Sequence, residues 1–124
     1  MKLLFSLALL LALSLSLEAK QLAPKPVKPI VNNGIKISIV KWKHQNGKQN
    51  GGFLKAVSIK TKEIVWETLV YKTKYIKNLE TDVQDVFITS LSLSSDKTKL
   101  IVRNENNKTY YMDIANGKVV PKGI

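Results

Sequence analysis

The feature that most constrains this fold is the alternation of apolar and polar residues over short segments that are separated by turn residues. Ile35, Ile37 and Ile39 lie on one face of such a segment, and Lys36 and Ser38 lie on the other. Alternation with a period of two predicts a half-buried β-strand. Similar segments recur along the chain, and none shows a sustained helical period. The sequence therefore predicts an all-β domain of about seven strands in one or more antiparallel sheets.

The N-terminal region predicts export. Met1-Lys2 is a short positive region, Leu3 to Leu17 is apolar apart from three serines, and Leu17-Glu18-Ala19 ends on a small residue. This order is typical of a secretory signal peptide. The apolar run is shorter than the roughly 20 residues that span a bilayer, and an uncleaved N-terminal anchor is the alternative. We expect cleavage near Ala19 and a periplasmic or secreted mature chain.

The chain divides into three predicted regions. Residues 1–19 are the signal peptide, residues 20–34 a linker, and residues 35–124 a single all-β domain. The linker is predicted because three prolines alternate with lysines, which favours an extended tether. The Asn32-Asn33-Gly34 sequence predicts a turn at its end. The chain contains no cysteine, which excludes disulfides, thiolate metal sites and a lipid-modified N-terminus.

The charge predicts attraction to anionic surfaces. The chain carries a net charge of +11, which favours contact with phospholipids or acidic envelope polymers. Nearly all of the positive residues are lysine, and Arg103 is the single arginine. Specific nucleic-acid recognition favours arginine, so we do not expect it here. The lysines also alternate along the strands, as on a solvated sheet face that resists aggregation.

Two segments resemble blades of β-propellers. The segment 52–66 is similar to the strand–turn–strand of a quinoprotein-type blade, and its matching positions are Gly52, Ala56, Thr61 and Trp66. Within it, Ser58 stands in place of the blade's aspartate and Lys62 in place of its turn glycine. We expect Trp66 to lie in the core.

The second segment, 88–120, resembles the inner strands of a Trp-Asp-repeat or quinoprotein blade. Asp113 and Gly117 match the aspartate and the turn glycine, and Pro121 stands where a second docking tryptophan would be. One blade takes about 40–50 residues and a ring needs at least four blades, so the chain is too short for a closed propeller. The quinone of the larger relatives binds inside a complete ring, so the resemblance implies no cofactor here.

A third resemblance covers most of the mature chain. The stretch from Trp66 to Ile88 is similar to a family of short, exported, uncharacterised bacterial proteins. This resemblance supports export and implies no activity.

One acidic cluster stands out in this basic chain, formed by Glu80, Asp82, Gln84 and Asp85. Its three carboxylates are candidate Ca²⁺ ligands, because Ca²⁺ takes six to eight oxygens. A partner-docking edge made by all four residues is a second interpretation. A solvated strand entry paired with lysines is the third.

No catalytic group is predicted. His44 is the only histidine, and metal-binding histidines usually have companions. Nucleophilic catalysis needs a base beside an activated hydroxyl, and a paired-carboxylate hydrolase would draw on Glu63, Glu67 or Glu80. Nothing in the spacing selects such a pair, so the sequence predicts a non-enzymatic protein.

Asn107 is a candidate glycosylation site. Glu105-Asn106-Asn107-Lys108-Thr109 matches the extended bacterial sequon, with an acidic residue two positions before the asparagine and a hydroxyl residue two after it. An ordinary turn is the alternative interpretation of this asparagine-rich stretch.

These features together predict an exported accessory or protein-binding domain that works through a sheet edge or face, with an envelope protein as partner. Two alternatives remain open. The first is an electrostatic binder of anionic envelope polymers or lipids. The second is a subunit of a symmetric, propeller-like assembly.

Overall fold

Eight short strands follow one another along the chain in two groups of four. The computed structural model describes residues 25–41, 49–80 and 84–121. The strands are β1 (Ile30–Asn32), β2 (Ile35–Ile39), β3 (Phe53–Ser58), β4 (Ile64–Leu69), β5 (Ile88–Leu93), β6 (Lys99–Asn104), β7 (Thr109–Asp113) and β8 (Val119–Val120). Within these residues no helix occurs. The predicted all-β class is confirmed.

Each group of four strands forms its own antiparallel sheet. The spatial order is β1-β2-β3-β4 in the first sheet and β5-β6-β7-β8 in the second. Within each sheet, strands that follow one another in sequence are also neighbours in space. Neither sheet closes into a barrel or a propeller ring.

The eighth strand arises within the segment predicted as a linker. Asn33 and Gly34 both have positive φ, 49° and 77°. Two such residues form the tight turn that matches the natural twist of a hairpin. Residues 30–32 consequently fold back as β1 and pair with β2, with Asn32 opposite Ile35 and Ile30 opposite Ile37.

The apolar run from Val83 to Leu93 predicts one long strand. This prediction is wrong in its extent over the described residues, which begin here at Gln84. The observed strand is β5, which begins at Ile88. Gln84 and Asp85 precede it in a loop, and their side chains bond to residues of the 71–80 region instead. Polar side chains with such partners draw the backbone away from a regular ladder.

The core lies between the two sheets. The largest fully buried side chains come from both of them: Ile37, Leu54, Leu100, Val102 and Met112. Alternation places Ile37 on the inner face together with Ala56 and Trp66, which lie opposite one another in the register. Burying one such aliphatic side chain contributes about 1.5–3 kcal/mol, so these layers are the main source of stability.

Trp66 joins the first sheet to the second. Its indole N–H donates to the Ile114 carbonyl at 2.8 Å, and the Thr68 hydroxyl donates to the Gly117 carbonyl at 2.8 Å. Gly117 lies under the indole, because a Cβ at this position would be 2.5 Å from Trp66 Cδ2. Trp66 is buried, as predicted. Strand β4 is thereby fixed to the turn between β7 and β8.

Candidate functional site

The outer edge of β2 is covered for only part of its length. Strand β1 pairs with β2 from Ile35 to Ile37 and no further. The backbone N–H of Val40 donates to the Phe53 carbonyl at 3.1 Å, on the β3 side. Because backbone groups alternate between the two sides of a strand, those of Ile39 are directed to the opposite edge. From Ile39 onward this edge has no strand partner among the described residues.

A cavity of about 360 Å³ lies along this uncovered edge. The segment 25–29 forms one wall and residues 38–41, which include the end of β2, form another. Residues 50–52 and 87–88 complete the lining. We call this cavity the β2 groove.

The wall that faces the end of β2 contains two prolines and does not pair with β2. Segment 25–29 contains Pro26 and Pro29, and both line the groove. Strand pairing begins only after Pro29, at Ile30. The wall therefore runs beside the β2 edge without occupying it as a strand.

Two adjacent glycines bring separate parts of the backbone together at the groove. Gly51 and Gly52 have φ of 90° and 84°, and a Cβ on Gly51 would be 2.6 Å from the Val86 carbonyl oxygen. The side-chain amide of Gln49 donates to the carbonyls of Gly51 and Tyr71, each at 2.9 Å. These contacts fix residues 49–52 against the chain that follows β4.

Asp85 contacts Asn50, which lines the same part of the groove. It is buried, accepts a hydrogen bond from the Tyr75 hydroxyl at 2.6 Å, and is contacted by the Asn50 amide at 3.4 Å. The backbone N–H of Asn50 donates to the same Tyr75 hydroxyl at 3.3 Å. Burial, and then the hydrogen bond to Asp85, raise the pKa of Tyr75 to about 12. The neutral phenol and the carboxylate thus hold each other in place.

Gln84 closes a neighbouring loop. Its side-chain oxygen accepts from the Ile76 N–H at 2.5 Å. Its side-chain amide donates to the carbonyls of Ile76, Leu79 and Glu80 at 3.1–3.3 Å. One side chain thus satisfies four backbone groups of residues 76–80. Such local bonds stabilise a compact loop that has no regular secondary structure.

The residues of the predicted acidic cluster therefore lie in different environments and make different contacts. Glu80 is exposed, Gln84 holds a loop and Asp85 is buried under the groove. Asp82 lies outside the described residues. Among the residues that the structure describes, no three His, Asp or Glu side chains come together as a metal site. The proximity of Asp85 to Asn50 connects the cluster to the groove.

Asn107 lies at the exposed tip of the turn between β6 and β7, with a φ of 61°. The buried Asn104 fixes this turn, because its side-chain oxygen accepts from the N–H groups of Asn106 and Lys108. The carboxylate of Glu105 accepts from the Phe87 N–H at 3.0 Å. Glycosylation of Asn107 stays a prediction. His44 lies outside the described residues.

The pattern of residues along the chain does not predict the β2 groove. Segment 25–29 was interpreted only as a tether, whereas two of its prolines line the groove. The glycines and asparagines from His44 to Gly52 predict a long hairpin connection, yet Gly51 and Gly52 both lie in contact with backbone that is distant in sequence.

No protein-family model matches this chain, and a search of curated proteins finds no match. In the part of the chain that the structure describes, no helix has the length and apolar character needed to cross a bilayer. The fold and the groove together define a two-sheet β domain in which, among the described residues, the end of β2 lacks a strand partner on one side and borders a cavity.

Proposed function

We propose that this chain is an exported, non-enzymatic protein-binding domain that takes an extended peptide segment of an envelope protein into the β2 groove. The uncovered edge from Ile39, lying beside a cavity of about 360 Å³, carries the proposal. Extended peptides add to an exposed sheet edge through main-chain hydrogen bonds, and pockets for alternate side chains give specificity. The volume lies within the range of roughly 300–1,000 Å³ that is usual for ligand sites.

The lining indicates the chemistry of the peptide. Most of the groove is apolar, with Val27, Ile39 and Phe87 among its walls. Lys25 and Lys41 line it as well, and both are exposed. An extended segment that alternates apolar and acidic residues matches both properties, because its apolar side chains fill the cavity and its carboxylates face the lysines.

A pull-down from envelope extract tests the proposal when it is combined with two matched substitutions. The tagged mature chain, residues 20–124, is washed at low and then at high salt, and retained proteins are identified by mass spectrometry. Val27→Trp fills the groove from its half-buried wall. Val31→Trp makes the same change on a side chain that is 60% exposed in β1 and outside the lining.

We expect one partner to survive high salt with the wild-type chain and with Val31→Trp, and to be lost with Val27→Trp. Desolvated contacts tolerate salt, whereas exposed charge pairs are screened. If Val27→Trp and the wild type retained the partner equally, the partner would not bind in the β2 groove. Retention of the partner only at low salt would mean that electrostatic attraction alone accounts for the binding.

The contact between the sheets also bears on the alternative of a symmetric ring. The indole of Trp66 rests on Gly117, which has a φ of 73°. The equivalent turn residue of the first sheet is Lys62, which also has a positive φ, 68°. In a ring, the indole of a neighbouring copy would have to pack on this residue, and the lysine side chain would occupy its place. Pro121 stands four residues after Gly117, as Trp66 does after Lys62. We therefore propose that this docking contact does not continue to further copies.

A further inference from the structure

A second surface, separate from the β2 groove, lies on the loop between β4 and β5. Residues 72–80, which we call the Lys72–Glu80 loop, present exposed cationic and aliphatic side chains together. Ile76 is 64% exposed and Leu79 is 55% exposed. Lys72, Lys74 and Lys77 are exposed around them. Aliphatic and cationic side chains that are exposed together on one loop are a candidate interaction surface.

Hydrogen bonds from other parts of the protein fix the conformation of the Lys72–Glu80 loop. The Thr73 N–H donates to the Gln49 side-chain oxygen at 2.7 Å, and the Tyr75 hydroxyl donates to Asp85. Gln84 bonds to backbone groups of Ile76, Leu79 and Glu80. Thr73 and Tyr75 are half-buried, whereas Lys72, Lys74 and Ile76 are exposed. The anchoring contacts thus keep the lysines and the aliphatic side chains in water.

We infer that this loop docks on the surface of an anionic lipid bilayer. Interfacial segments combine an apolar part, which enters the headgroup region, with lysines that stay among the anionic headgroups. Within the loop, three exposed lysines stand against the exposed carboxylate of Glu80. Asp82 and Asp85 follow in the chain, and Asp85 is buried against Tyr75. The exposed charge of the described loop is therefore complementary to such a surface. Ile76 and Leu79 supply the apolar part. This inference does not depend on peptide binding in the groove.

Vesicle co-sedimentation tests the inference with charge-matched variants. The probes are vesicles of phosphatidylglycerol with phosphatidylcholine, and vesicles of phosphatidylcholine alone. The triple variant Lys72→Gln, Lys74→Gln, Lys77→Gln is compared with Lys36→Gln, Lys60→Gln, Lys118→Gln, since all six lysines are exposed and both variants lose the same charge. We expect the loop variant to lose roughly tenfold or more in affinity for the anionic vesicles, because each lysine near the surface contributes severalfold. The control variant should lose much less.

The aliphatic side chains have an equally close control. Ile76→Asn with Leu79→Asn is compared with Val31→Asn with Ile64→Asn, whose side chains are 60% and 59% exposed. Only the loop pair should weaken binding to anionic vesicles. Because the chain has no cysteine, a single environment-sensitive label at Leu79→Cys, against one at Ile64→Cys, reports insertion in an otherwise unaltered chain. A blue shift on anionic vesicles is expected at the loop label alone.

Three results would overturn the inference. Equal losses in the two lysine variants would mean that the net charge acts without a defined site. Unchanged binding by the Ile76→Asn, Leu79→Asn variant, with no shift of the label at position 79, would mean that nothing inserts. Absence of binding to any vesicle, with capture of a protein through the loop, would make this surface a protein-docking site.

Discussion

At the scale of single residues, Gly117 occupies a position that no other residue can take without moving Trp66. A Cβ there would be 2.5 Å from the indole, and φ is 73°. We expect Gly117→Ala to lower the free energy of unfolding by about 2–4 kcal/mol, since strain from forced repacking adds to the left-handed backbone cost of about 1–2 kcal/mol. Urea unfolding of the variant measures this.

Gly34→Ala is the matched control for that substitution. Gly34 has a nearly identical φ of 77°, but nothing lies within 4 Å of its Cβ position. In this variant the free energy of unfolding should fall only by the cost of the left-handed backbone, about 1–2 kcal/mol. Equal losses at the two glycines would contradict the close contact between Gly117 and Trp66.

Tyr75 makes the stability of the protein fall as the pH becomes alkaline. Its pKa is raised from 10.0 to about 12, by burial and by its hydrogen bond to Asp85. The pKa of Tyr71 is also raised, mainly by burial. Because the folded state binds these protons more tightly than the unfolded state, their contribution is complete below pH 10 and is lost as the pH rises through about 12.

We expect Tyr75→Phe to flatten the fall in stability between pH 10 and 12. Tyr71 would retain its own share of that fall. At neutral pH the same variant should lose about 1–3 kcal/mol, because the buried Asp85 loses a donor. Urea unfolding across this pH range provides the measurement. A pH profile that runs parallel to that of the wild type would show that Tyr75 does not titrate in this way.

At the scale of elements, the loop before β5 depends on one side chain. Gln84 bonds to four backbone groups of residues 76–80. We expect Gln84→Ala to accelerate amide hydrogen exchange at Ile76 while global unfolding changes by less than about 1 kcal/mol, since these bonds are exposed.

Gln84→Glu is the control for that loop. It keeps an oxygen that accepts from the Ile76 N–H and loses the three donated bonds. The Ile76 amide should then stay better protected than in Gln84→Ala. If both variants left exchange at Ile76 unchanged, the loop would not be held by this side chain.

The hairpins were predictable from the sequence, and the loops between them were not. Ser58–Lys62 and Asp113–Gly117 are local turns, and their residues determine the backbone over about five positions. The partners of Asn50 and Gln49, by contrast, are Asp85 and Tyr71, which are 35 and 22 residues away. Alternation carries no information about such pairs, so the loop at residues 84–87 and the groove were both missed.

At the scale of the whole molecule, we expect the mature chain to be a monomer. The docking contact of Trp66 on Gly117 occurs once, and Lys62 and Pro121 occupy the positions that would be needed to repeat it. Light scattering at several protein concentrations should give the mass of one mature chain. A concentration-independent mass of several chains would restore the ring-like assembly.

Amide hydrogen exchange of Ile39 in the complex tests whether an extended peptide pairs with β2 from Ile39 onward. In the free protein this N–H is directed to the edge that β1 leaves uncovered. We expect strong new protection at Ile39 when the captured partner, or its binding peptide, is added. Unchanged exchange at Ile39, with protection confined to other strands, would contradict strand addition in the groove.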